Sequence, residues 1–159
     1  MFAVALAAAG LAWSFNYYRG RRTLEFYGRG AALLVRTAPQ VELLVLAPLD
    51  ELPEPNAEQL LIDGERLQVI RRLDISHAKG LVHARTSLLA DSSYDWHAEP
   101  CDYYPSIDYA VRFTHISTAT LAFDFHCQQL WHVEHEHTVT LVPKVADGWQ
   151  TFLIKQAAK

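Results

Sequence analysis

His132, His135 and His137, with Glu134 and Glu136 between them, are the densest cluster of potential metal ligands in the chain. Imidazole nitrogen suits zinc, copper and nickel, and alternate residues of an extended strand share a face, which would let His135 and His137 meet one ion. His126 and Cys127 precede the cluster, and His115 ends a neighbouring strand-like run. The spacing matches no zinc motif: there is no His-Glu-x-x-His and no pair of Cys-x-x-Cys units. The competing reading is a solvated turn between two strands, so no metal ligand is assigned and no cofactor is expected.

Two cysteines, Cys101 and Cys127, stand 26 residues apart rather than in a redox Cys-x-x-Cys. They suit one disulfide outside the cytoplasm or two free thiols inside it. Cys127 follows Leu121, Phe123 and Phe125 at alternate positions, which reads as an inert core thiol, whereas Cys101 falls in a loop after Pro100. Papain-type chemistry has no suitable amide partner, because Asn16 and Asn56 are the only asparagines.

Residues 91–109 carry Asp91, Asp95, Glu99, Asp102 and Asp108 without a Lys or Arg, interleaved with Tyr94, Trp96, Tyr103, Tyr104 and Tyr109. Rigid aromatics beside steering charges suit a protein interface for a basic partner, with Tyr94, Asp95, Trp96, Asp102, Tyr103 and Tyr104 as contact candidates. A long loop packing its own aromatics onto a sheet is the structural alternative. An enzyme using Asp95, Glu99 or Asp102 is a further one. Gly28-Arg29-Gly30 lacks the third glycine and the preceding strand of a dinucleotide site. With no nucleophile, P-loop or calcium motif, the chain reads as non-enzymatic.

The elements that must position these groups begin with a segment from Phe2 to Tyr18 that carries no charge and is followed by Arg19, Arg21 and Arg22. As a helix it reaches roughly 25 Å, enough for a hydrocarbon core. Trp13, Tyr17 and Tyr18 fall where amphipathic rings favour headgroups. Residues 1–18 therefore read as a single-pass membrane anchor and 19–39 as a basic juxtamembrane helix. A signal-peptide core and a peripheral or buried helix are the competing readings, since the most apolar part, Phe2 to Trp13, is short. Up to Gln40 there are five Arg and one Glu, against nine Lys/Arg and seventeen Asp/Glu beyond, for a net charge of −4. The basic collar predicts a domain on the cytoplasmic side, in contact with membrane lipid. The acidic body excludes nucleic acid as a partner.

Residues 40–159 have the size and composition of one folded domain. Leu24, Tyr27, Ala31 and Leu34 set a helix over 22–36, which Pro39 ends. Val41 to Ala47 reads as a strand buried on both faces, and Pro48 to Pro55 as an exposed loop. Leu60–Ile62, Asp63-Gly64 and Glu65–Ile70 spell a hairpin with a type I′ turn. Ser76 is the expected cap of a helix over 77–90, with Leu81, Ala84, Leu88 and Leu89 inward.

Strands 109–115 and 119–127 pair so that partner numbers sum to an even value, as in Phe113 with Leu121 and Val111 with Phe123. A strand at 138–142 precedes either a helix opened by Asp147 and Gln150 or a closing strand at 149–154. The expected fold is α+β: an N-terminal, membrane-spanning helix, then an antiparallel-rich sheet of five or six strands with two or three helices on one face. The expected function is that of a membrane-anchored accessory or interaction subunit of a larger membrane assembly, bound to a membrane-protein partner. A metal- or thiol-handling protein built on His132 to His137 and an enzyme with its site in 91–109 remain the alternatives.

Overall fold

The computed structural model describes residues 21–49, 57–99, 101, 103 and 105–159. The proposed anchor, with Trp13, Tyr17, Tyr18 and Arg19, lies outside the described residues, as do Asp102, Tyr104 and most of the expected loop after Pro48. Among the described residues no helix is long and apolar enough to cross a membrane.

The elements run α1 (Arg21–Thr37), β1 (Gln40–Pro48), β2 (Gln59–Ile62), β3 (Glu65–Asp74), α2 (Leu81–Leu88), β4 (Tyr94–Asp95), β5 (Ile107–Thr114), β6 (Thr118–Asp124), β7 (Gln129–His132), β8 (His137–Leu141) and α3 (Pro143–Ala157). The architecture is α+β. Its eight strands form one sheet in the order β2-β3-β1-β5-β6-β7-β8-β4, with every pairing antiparallel.

β1 sits between β3 and β5, which explains its nearly unbroken apolar run: Val41, Leu43, Leu44 and Leu46 are buried, facing alternate sides. One face of the sheet carries the main core. Val41, Leu43, Val111, Phe113, Leu121 and Phe123 meet Tyr27 and Val35 of α1, Leu81 and Leu88 of α2, and Trp149 and Leu153 of α3. Trp149 stacks on Phe123 at 4.9 Å between ring centroids. The opposite face holds a smaller core of Leu44, Leu46, Leu60, Ile62, Ala110 and Ala122, with Trp131 and Val133 packed against it. There the hairpin arm β2 contacts the 3-10 turn Val133–His135.

The Asp-Gly hairpin forms as its chemistry requires: β2 and β3 flank Asp63 (φ 51°) and Gly64 (φ 77°), both left-handed. The β5–β6 parity is also as expected, but the pairing is one step tighter. Val111 faces Leu121 and Phe113 faces Ala119, because the turn between Thr114 and Thr118 is short.

Other expectations are corrected. The sheet has eight strands rather than five or six, since β7 and the two-residue β4 add to those expected. β3 runs on to Asp74, and β1 extends through Pro48, so that proline ends a strand instead of opening a loop. α2 begins at Leu81, not at 77, because Gly80 is left-handed (φ 98°) and interrupts helical geometry. Ser76 caps no helix: its N–H and hydroxyl both donate to Asp74 Oδ1, and its Oγ accepts from the Val41 N–H at 2.9 Å. α3 starts at Pro143, a residue suited to a first helical position, so Asp147 and Gln150 lie inside it and no closing strand forms. α1 is kinked at Gly28, and in the segment before the kink Leu24 is exposed while Phe26 and Tyr27 are buried.

Candidate functional site

The aromatic-acidic segment 91–109 is not one long loop. A 3-10 turn, Asp91–Ser93, leads into β4, whose two residues pair with Leu141 and Thr140 of β8 and close that edge of the sheet. Tyr94 therefore points into the core. Its hydroxyl donates to the Leu88 carbonyl at 2.5 Å and accepts from the Tyr27 hydroxyl at 2.8 Å. Burial pushes the pKa of both phenols upward, so both stay neutral donors. Tyr94 is thus corrected from contact candidate to core residue.

Its neighbours behave differently. Trp96 is half-buried, packed against Tyr94 at 5.0 Å, and anchored by its indole N–H to the Asp91 carbonyl at 2.9 Å. Asp95 and Glu99 are exposed. Together with Phe26, Thr138 and Val139 they line a cleft of about 290 Å³ along the β4–β8 edge. The floor is aromatic and the rim bears two carboxylates. Asp95 and Glu99 are also the acids an enzymatic reading would use. Tyr103 is 71% exposed and lies edge-on to His126 at 5.4 Å.

The cleft is tied to α1. Arg22 Nη1 lies 3.5 Å from His97 Nε2, and the Asp91 carboxylate accepts hydrogen bonds from the N–H and the hydroxyl of Thr23. Arg21 and Arg22, proposed for the membrane interface, are exposed in this same first turn of α1.

The three histidines of the cluster lie beside one another, His135 within 6.1 Å of His137 between ring centroids. His132 is buried on β7, His135 ends the 3-10 turn, and His137 opens β8 directly opposite His132. Glu136 is left-handed (φ 53°), so His135 and His137 do not continue one strand face as expected. The rings gather around α1: His132 is edge-on to Tyr27 at 5.9 Å, while His132 and His137 lie 6.3 and 6.4 Å from Phe26. His132 also meets His135 at 4.5 Å. Glu134 Oε2 accepts the Thr120 N–H at 2.8 Å and lies 3.6 Å from His132 Nε2. Among the described residues no group of three or more His, Cys, Asp or Glu side chains converges on a metal position. His132 and His137 form one wall of the pocket that receives Phe26, and His132 also packs on Tyr27. Burial lowers the His132 pKa to about 4, so the ring packs as neutral imidazole.

Cys101 and Cys127 form a disulfide, with Cα atoms 5.9 Å apart. This corrects the inert core thiol. β6 ends at Asp124, and Cys127 sits in the following turn rather than on a strand face. Asp124 organises that turn. Its buried carboxylate accepts the N–H groups of His126 (2.9 Å), Cys127 (3.1 Å) and Ser106 (3.2 Å). The bond and these hydrogen bonds hold the segment after β4 against the β6–β7 turn. His126 and His115 are both exposed in turns, and neither joins the His132 cluster.

Sequence reasoning named Trp96, Asp95 and Glu99 but missed Phe26, Thr138 and Val139, which reach the same cleft from distant segments. It also missed Asp124, whose only signal was an acid one turn ahead of a cysteine. No protein-family model, curated protein or solved structure matches this chain.

Proposed function

We propose that this chain is a membrane-anchored accessory subunit that docks on a larger membrane assembly through the β4–β8 edge cleft. The observation that carries the proposal is the cleft itself: an aromatic floor of Trp96 and Phe26 beneath the exposed carboxylates Asp95 and Glu99. Such a site fits a partner segment presenting an apolar side chain flanked by Lys or Arg, because buried aromatics supply affinity while rim charges steer encounter.

Its location favours a membrane partner. Phe26 lies eight residues beyond the apolar segment that ends at Tyr18. At ~3.4 Å per residue, the cleft stays within roughly 30 Å of the end of the proposed anchor. The disulfide favours an oxidising compartment. The basic collar of Arg19, Arg21 and Arg22 favours the cytoplasmic side instead. A reporter fused after Lys159 decides between the two sides.

Gentle detergent extraction with identification of co-purifying proteins tests docking. Trp96→Ala and, separately, Asp95→Lys should each reduce recovery of a stoichiometric partner by roughly tenfold or more, in line with loss of a central aromatic or reversal of a steering charge. Asp95 is exposed, so its variant leaves the core intact. Recovery of a lone monomer in several detergents, or an undiminished partner with Asp95→Lys, would overturn the proposal.

A further inference from the structure

Part of the charge on the outward side of α1 is not engaged within the domain. Its exposed residues include Arg21, Arg22, Leu24, Glu25, Arg29, Leu33 and Arg36. Arg21 pairs with Glu25 at 3.1 Å and Arg22 lies by His97. Among the described residues no hydrogen bond or ion pair engages the guanidinium of Arg29 or Arg36. Between them Leu33 is 61% exposed, and Leu24, one turn before the kink, is 50% exposed. A shallow groove of about 320 Å³ runs here, with Leu24, Leu33 and Leu89 as its apolar lining and Arg29 and Arg36 on its rim.

We propose that this face of α1 rests on an anionic phospholipid surface, with Arg29 and Arg36 on headgroup phosphates and Leu24 and Leu33 at the acyl boundary. The inference rests on the membrane-anchor reading above. Two observations select lipid as the occupant. First, the chain beyond Gln40 is strongly acidic, so this face is a local cationic patch on an anionic body and complements a sheet of phosphates. Second, Leu24 is only six residues beyond Tyr18, the end of the uncharged segment. At ~3.4 Å per residue the tether is at most about 20 Å, whatever its conformation. The apolar-plus-arginine composition is that of a helix lying in the interface plane. A helix seated this way turns the sheet, and with it the β4–β8 cleft, to a fixed height above the bilayer.

The test uses the full chain with its disulfide intact, carrying Leu33→Cys labelled with a fluorophore, and Leu61→Cys on the edge strand β2 as control. Leu61 is similarly exposed, at 56%. Vesicles are pure phosphatidylcholine, or phosphatidylcholine with about 30 mol% phosphatidylserine, each carrying a nitroxide lipid quencher. The expected result is flotation with both vesicles. With anionic vesicles, quenching at position 33 should be roughly threefold stronger than at 61, falling to the control level in Arg29→Gln with Arg36→Gln.

Flotation with both vesicles and equal quenching at the two positions overturns the inference and leaves the anchor standing. Flotation with anionic vesicles alone, with selective quenching at 33, supports the inference and overturns the anchor. No flotation with either overturns both. Cross-linking of Leu33→Cys to a second copy without quenching assigns the face to self-association and overturns the lipid assignment.

Discussion

Removing the Cys101–Cys127 bond probes both the fold and the compartment. The bond closes a loop of 26 residues between β4 and the β6–β7 turn. A loop of that length carries a closure entropy of about 12 cal/mol/K, or ~3.5 kcal/mol at 25 °C, which the cross-link withholds from the unfolded chain. Cys127 is only half-buried and Asp124 would still hold its turn, so Ser at both positions adds little further loss. The Cys101→Ser/Cys127→Ser variant should therefore unfold with about 3 kcal/mol less stability in urea. For a chain of this length its Tm should fall by roughly 6–12 °C. Reduction of the unaltered protein should reproduce the shift, and thiol titration of the native protein without reductant should find no reactive cysteine. A difference below about 1 kcal/mol, or two free thiols in protein isolated without reductant, would show that the bond does not stabilise the fold and would remove the main support for an oxidising compartment.

Three further outcomes follow from buried and part-buried polar groups. His132 titrates near 4 when folded and near 6.5 when unfolded, so the unfolded chain binds more protons between those values. Stability is full above about pH 6.5 and falls by ~3 kcal/mol as pH drops through 4; urea titrations at pH 7 and pH 4 should show that loss, and His132→Leu should show most of it gone. Tyr94→Phe leaves the Tyr27 hydroxyl without its buried acceptor and the Leu88 carbonyl without its donor, and should cost about 1–3 kcal/mol at neutral pH, read by chemical denaturation. Glu58 bridges Arg112, through bonds of 2.6 and 3.2 Å, and Arg72; these partners hold its carboxyl below its ordinary pKa. Glu58→Ala should leave the largely buried Arg112 guanidinium uncompensated and cost about 2–4 kcal/mol, with Arg112→Met in the same chain recovering part of the loss.

Local chemistry made some elements readable before any coordinates. Asp63-Gly64 dictates its turn through left-handed backbone, and the nearly unbroken Val41–Ala47 run implies a strand with neighbours on both sides. Alternation along β5 and β6 sets parity, but only turn length sets the exact register, and that length depends on how Thr114 and Thr118 close. β4 escaped because two residues carry no period; their extended state comes from pairing with β8, far away in sequence. β7 escaped because Gln129 and His132 look polar, although His132 is among the most buried side chains. The cleft was half legible. Trp96, Asp95 and Glu99 stand out as aromatics among acids, whereas Phe26 and Val139 look like any core residue until topology brings α1 and β8 alongside them. The histidines stand out by density alone, whereas the packing of His132 and His137 against Phe26 depends on the left-handed Glu136 and on the placement of α1.

The central claim is that the β4–β8 edge cleft is where a membrane partner docks. The most direct measurement places a photo-cross-linking amino acid at Asp95 or Glu99 of the full chain in its native membrane, with Ile154 on the exposed side of α3 as control. Positions 95 and 99 should each give one discrete adduct of the same mass, absent at 154 and lost when Trp96→Ala is added. No adduct at either cleft position, or an identical adduct pattern at Ile154, would contradict that claim.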